Sequence, residues 1–177
     1  MRLAYLLVAL VSAPAFAVMT ISTGTGLEAH TSNDVNSQFV SAGGLGQLYI
    51  SAAYHPWSAL WEVKAQPSER TTSTGNYRVS SQLFNSMIWA RYEPWRSFKW
   101  SPFVGLGAGQ SFIKVKTSFG SASDERWSDG GLQAGLGTGV MASLWDHWNI
   151  EGELRVYKQE FATSPNYGLA LRTGYTF

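Results

Sequence analysis

The chain has 177 residues and a mass of 19.4 kDa, the size of one ordinary domain, which excludes a catalytic domain joined to a second large module. Charged residues make up only 14%, against about 25% in an average soluble domain, aromatics also reach 14%, and the mean hydropathy of −0.10 excludes a bundle of membrane helices. A net charge of +1 offers no basic field to nucleic acid, and the absence of Cys excludes disulfides, thiolate nucleophiles and Cys-ligated metals.

The first 17 residues carry Arg2, an apolar run from Leu3 to Val11, Pro14 and the small-residue site Ala15-Phe16-Ala17. That order predicts a secretory signal peptide over residues 1–17, cleaved to leave 18–177 as one domain. No later window is apolar for long enough to make a transmembrane helix.

From Met19 onward the apolar residues alternate. In the last segment Tyr167, Leu169, Leu171, Tyr175 and Phe177 share one face, while Gly168, Ala170, Arg172, Gly174 and Thr176 share the other. A period of two with unlike faces is a strand between two different media. The pattern predicts eight strands, at roughly 19–30, 44–55, 58–66, 77–92, 102–116, 131–145, 148–161 and 167–177. Their connectors alternate as well. Those near 55–58, 93–101 and 145–148 are tight or rich in Trp and Pro, whereas those near 31–43, 67–76, 117–130 and 162–166 are polar. The fold class expected is therefore all-β: an eight-stranded antiparallel up-and-down transmembrane barrel with short periplasmic turns and longer polar outer loops.

Aromatic residues gather at the tight turns, as amphipathic rings do at a water–lipid boundary. Tyr54, Trp57, Trp61, Trp89, Tyr92, Trp95, Trp100, Trp145 and Trp148 are expected to form a periplasmic girdle. Trp127 falls in a predicted outer loop. On the face opposite the apolar stripe, Glu28, Glu62, Lys64, Arg91, Glu151, Glu153, Arg155 and Arg172 are expected to point inward, the parity of 77–92, and so of Arg91, being the hardest to assign. Eight strands enclose only enough space for side chains to fill, so these charges would pair and plug the lumen. Inward glycines, including Gly105, Gly107 and Gly109, would make room for them.

Two stretches carry a family resemblance. Ser101-Pro102-Phe103-Val104-Gly105-Leu106-Gly107-Ala108-Gly109 resembles the opening of the fifth strand in small outer-membrane barrels similar to the transmembrane domain of outer membrane protein A and to the opacity-type surface antigens. The terminal Gly174-Tyr175-Thr176-Phe177 resembles their closing strand. The resemblance implies residence in the outer membrane of a Gram-negative-type cell and contact with membrane lipid and lipopolysaccharide. It also implies delivery by periplasmic chaperones to the barrel-assembly machinery, with Leu169, Leu171, Tyr175 and Phe177 as the assembly signal, interrupted by Thr173. A monomer without cofactor is expected.

Three functions stand against one another. The first is a structural or surface-interaction protein whose outer loops do the work, with Phe39, Phe119 and Trp127 as candidate contacts. The second is a lipid A-modifying acyl hydrolase, for which His30 and Ser32 are the one nearby His and Ser pair. In the lipid A deacylase barrels that pair lies on a late strand, and here Val156-Tyr157-Lys158-Gln159-Glu160-Phe161 holds no His. The third is a narrow pore. His30, His55 and His147 are dispersed and make no metal pattern. The expectation is the first function, with no residue assigned to catalysis, cofactor or metal.

Overall fold

A computed structural model describes residues 20–31, 43–65, 70–95, 99–127, 131–160 and 164–177. The expected signal peptide, Ser32 and Phe39 lie outside them. The described chain contains β1 (Thr20–Thr31), β2 (Gly43–Tyr54), β3 (Trp57–Ala65), β4 (Arg70–Thr74) and β5 (Tyr77–Tyr92). It continues with β6 (Trp100–Phe119), β7 (Ala122–Trp127), β8 (Gly131–Ser143), β9 (Trp148–Gln159) and β10 (Asn166–Thr176).

Eight of these strands close a ring in the order β1-β2-β3-β5-β6-β8-β9-β10, every neighbouring pair antiparallel, with β10 returning to β1 through Leu27 opposite Leu171. The apolar face of each strand lies on the outside. Leu27, Leu48, Ile88, Leu106, Leu136 and Leu154 are all exposed there, an arrangement stable against lipid and unstable against water. Hydroxyls on that outer face turn back to backbone carbonyls on neighbouring strands: Thr23 to Tyr49 at 3.0 Å, Thr25 to Gln47 at 2.9 Å and Thr138 to Phe103 at 3.1 Å. Those bonds satisfy polar groups where lipid offers no partner. Trp61, also outward, donates its indole N–H to Ser86 at 3.0 Å for the same reason.

The two ends of the ring differ. At the end where β1 begins and β10 ends, backbone bonds tie turns and strand ends together: Glu93 N–H to Pro56, Ser143 N–H to Lys99, Thr176 N–H to His147 and Phe177 N–H to Ile21. At the other end β5 and β6 outgrow the barrel. β5 leaves β3 beyond Phe84 and takes β4 as its neighbour from Ser81 to Tyr77, while β6 leaves β8 beyond Ser111 and takes β7 from Lys114 to Phe119. The result is a four-stranded blade, β4-β5-β6-β7, standing on one side of the mouth. Polar composition predicts loops at 67–76 and 117–130, and the structure corrects this: both regions contain paired strands, because each holds a two-residue hairpin. Gly75-Asn76 and Gly120-Ser121 make those turns, with φ of 59° at each glycine.

Candidate functional site

The barrel interior is the most elaborate chemical arrangement in the described residues. Strand alternation brings Glu28 from β1, Glu62 and Lys64 from β3, Arg91 from β5, Glu151, Glu153 and Arg155 from β9 and Arg172 from β10 to the inner face. All eight are buried and in contact. Lys64 Nζ lies 3.0 Å from Glu28 and 3.4 Å from Glu62. Arg155 reaches Glu28 at 2.9 Å, Glu62 at 2.6 Å and Glu153 at 2.9 Å. Arg172 meets Glu62 at 3.0 Å and also donates to Glu151 and Glu153. Arg91 forks onto Glu151 through Nη1 at 2.8 Å and Nη2 at 3.0 Å, the second nitrogen also reaching Glu153 at 2.8 Å. Acids and bases alternate around the centre, so each charge taken out of water is compensated by at least two opposite ones.

Each of the four cations also lies against a ring. Arg155 stacks 4.5 Å from the centroid of Trp89, Arg91 4.5 Å from Phe103, Lys64 5.1 Å from Tyr157 and Arg172 5.9 Å from Tyr49. Ring faces are negative, and in a dry interior they add to the attraction the carboxylates supply. The indole N–H of Trp89 in turn donates to Glu62 at 3.0 Å.

Trp89 is therefore a correction to the expected girdle. It has no exposed surface and belongs to the lumen. Arg91 and Trp89 are two residues apart on one strand, so the period of two that turns Arg91 inward turns Trp89 inward with it. The remaining girdle residues, Tyr54, Trp57, Trp61, Tyr92, Trp95, Trp100, Trp145 and Trp148, are exposed on the outside or at the rim where β1 begins and β10 ends. Of the four inward aromatics, Tyr157 shares the face of Glu151, Glu153 and Arg155 in the sequence alternation, while Tyr49, Trp89 and Phe103 escape sequence reasoning because a ring on a strand has the same period whichever face it takes. The signal available was the glycine stripe opposite. A Cβ on Gly107 would lie 2.6 Å from Cδ2 of Trp89, and one on Gly135 would lie 3.1 Å from Cη2 of the same ring. The stripe on β6 and β8 is the seat of an indole.

Toward the blade the lumen changes from charge to amide. Gln159 donates to Ser111 at 3.2 Å and receives a bond from Asn166 at 3.1 Å, and Gln47 and Asn85 flank Lys64 on the two neighbouring strands. At the opposite end Ser58 donates to Glu93, and Asn149 links Tyr49 at 3.4 Å to Thr176 at 3.1 Å. Of the assembly-signal residues, Leu169 and Leu171 face outward, while Tyr175 packs edge-on to Phe177 and Trp148 and stacks on His147. Phe119 is exposed at the blade tip, and Trp127 lies 5.3 Å from the ring of Phe84. His30 sits at the far end of β1, opposite Gly43 and Gly168 in register. Among the described residues no group of His, Asp and Glu is arranged to hold a metal ion.

In sequence the chain matches no family profile and no curated protein. In structure it is similar to a major outer membrane protein from Thermus thermophilus, with a TM-score of 0.65 at 15% identity, covering 90% of this chain and all 100% of that one. It is also similar to Neisserial surface protein A, with a TM-score of 0.60 at 14% identity, over 91% of this chain and 99% of that one. Ail, the attachment invasion locus protein of Yersinia pestis, superposes with a TM-score of 0.53 at 14% identity, over 90% and 97% of the two chains. The closed eight-stranded antiparallel ring, its apolar exterior and these likenesses together give this chain the fold of the small outer-membrane β-barrels.

Proposed function

We propose that the protein is an outer-membrane scaffold with a sealed lumen that presents the β4-β5-β6-β7 blade to the exterior for surface interaction, without catalysis. The observation that carries this reading is the combination of a buried, mutually paired charge cluster in the lumen with a projecting sheet. Each of the four lumen cations pairs with at least two carboxylates, and β5 and β6, at 16 and 20 residues, exceed the roughly 9–11 needed to cross a bilayer. The excess length lies at the end away from the start of β1 and the end of β10, where small barrels carry their outer loops. A likeness to a protein named for attachment fits a surface role.

The absence of Cys permits a clean test of orientation. Ser123→Cys in β7 is expected to react with a membrane-impermeant maleimide on intact cells, and Asp146→Cys at the opposite rim only after the outer membrane is broken. Labelling of Asp146→Cys on intact cells, with Ser123→Cys protected, would reverse the orientation and remove the surface role.

A further inference from the structure

The blade ends in two edges of unlike character. Among the described residues β4 pairs only with β5, and β7 only with β6. In a two-residue hairpin the residues flanking the turn exchange both backbone bonds, and every second residue beyond them aims its own at the opposite edge. Thr74 and Tyr77 flank Gly75-Asn76, so Thr71 and Ser73 turn their N–H and C=O groups to the open side of β4. Phe119 and Ala122 flank Gly120-Ser121, so Ser123, Glu125 and Trp127 do the same on β7. Charge guards the β7 edge. Asp124, Glu125 and Arg126 are consecutive and exposed, and Arg126 lies 2.7 Å from Asp124 and Lys114 3.1 Å from Glu125, so a strand laid there crowds existing ion pairs. On β4, Thr71-Thr72-Ser73-Thr74 has no charge and no proline, and its threonines favour strand pairing.

Open backbone groups on an unguarded edge call for one kind of partner, another extended chain. The neighbouring strands set that chain's sequence. One face of β5 and β6 presents Tyr77, Val79 and Phe119, and the other presents Arg78 and Lys116, with Arg78 directly across from the small Ser73. Tyr77 and Phe119 are exposed on the part of the blade that stands beyond the barrel, where lipid does not cover them. A strand added beside β4 lies two strand spacings, about 10 Å, from β5, so the Arg78 guanidinium can meet it over Ser73. We infer that the β4 edge receives an extended segment of another protein that alternates acidic and apolar residues, its acids on the Arg78 and Lys116 face and its apolar side chains on the Tyr77 face. Main-chain bonds to Thr71 and Ser73 hold the segment, and the two faces select it. A second copy is the poorer fit, because its own β4, Arg70–Thr74, offers no acid to Arg78. The assignment names a partner class for the surface role proposed above and rests on that reading.

The test uses the full barrel in lipid nanodiscs and two end-blocked octapeptides, one alternating Val and Glu and the other Val and Lys. The Val-Glu peptide is expected to bind and to slow amide hydrogen exchange at Thr71 and Ser73, and the Val-Lys peptide to bind at least about tenfold more weakly. Ser73→Pro removes an open N–H without touching a bond to β5, and is expected to lower affinity about tenfold or more through the lost bond and the block to a neighbouring strand. Glu125→Pro, the same change on β7, is expected to bind as wild type. Arg78→Glu is expected to reverse the preference between the peptides. In an antiparallel pair the residue opposite Ser73 exchanges bonds with it, so N-methylation of the Glu residues is expected to abolish binding and N-methylation of the Val residues to spare it. That comparison needs no variant of the protein, and heat-modifiable migration checks the folding of those used. Absence of binding by the Val-Glu peptide, indifference to Ser73→Pro, or an equal loss with Glu125→Pro would each overturn the site. Dimerisation abolished by Ser73→Pro would overturn it in favour of a second copy. Binding to the purified barrel does not depend on which side of the membrane the blade faces, so this measurement and the cysteine labelling can fail separately.

Discussion

Glu62 holds together more of the lumen than any neighbouring carboxylate, because Lys64, Arg155, Arg172 and the Trp89 N–H all converge on its two oxygens. Removing it leaves three buried cations short of a partner, and breaking a buried pair from one side costs about 3–5 kcal/mol. Glu62→Ala is therefore expected to lower stability by about that amount in urea-dependent refolding into lipid vesicles. An unchanged midpoint would mean that water, not Glu62, solvates these cations. Gly107 makes a complementary prediction. Its missing side chain is the space in which the Trp89 indole lies, so Gly107→Val is expected to destabilise by at least about 1–3 kcal/mol through overpacking. The same substitution at Gly152, where an added Cβ meets only Leu171 Cδ2 at 3.7 Å, is expected to cost less. At this scale the sequence is half legible. Charges on an otherwise apolar strand declare their face, because lipid rejects them. Rings declare nothing, since both lipid and a charged lumen accept them, and Trp89 is assigned only once Arg91 fixes the parity of β5.

The strands themselves are the most legible level, since alternation is a direct record of two media. Observed barrel strands start and end close to the segments that alternation marks, as with 77–92 for β5 and 148–161 for β9. β4 and β7 leave no such record. Arg70-Thr71-Thr72-Ser73-Thr74 and Ala122-Ser123-Asp124-Glu125-Arg126-Trp127 stand outside the membrane band with little core to bury, so neither face needs to be apolar. Their trace is in the turns, where glycine adopts a positive φ that other residues take at a cost of about 1–3 kcal/mol. Gly75→Val is thus expected to raise the protease sensitivity of the blade while leaving heat-modifiable migration of the barrel intact. Loss of both together would show that blade and barrel fold as one unit. At the opposite rim Phe177 binds Ile21 through its backbone and packs on Tyr175, so deleting it removes one link in the closure between β1 and β10. Slower or incomplete assembly is expected, read as the folded fraction after a fixed refolding time.

The whole molecule accounts for its own composition. A charged content of 14% suffices because the exterior meets lipid and the charges that remain are concentrated in the lumen, at the rims and on the blade. Low charge and modest mean hydropathy are two results of one alternation, in which every second side chain belongs to a different solvent. What composition leaves open is the task, because eight strands of this kind can enclose a conducting path or a packed core with the same pattern outside. The lumen geometry favours the packed core: four cations, four carboxylates and four rings in mutual contact across the barrel axis. The most direct measurement of that claim is conductance after reconstitution of the full barrel in a planar bilayer. A packed lumen is expected to pass no steady current above the bare membrane at moderate voltage. Steady ohmic steps in wild type, altered in size by Glu62→Ala or Arg155→Ala, would contradict it and make the charge cluster the lining of a pore.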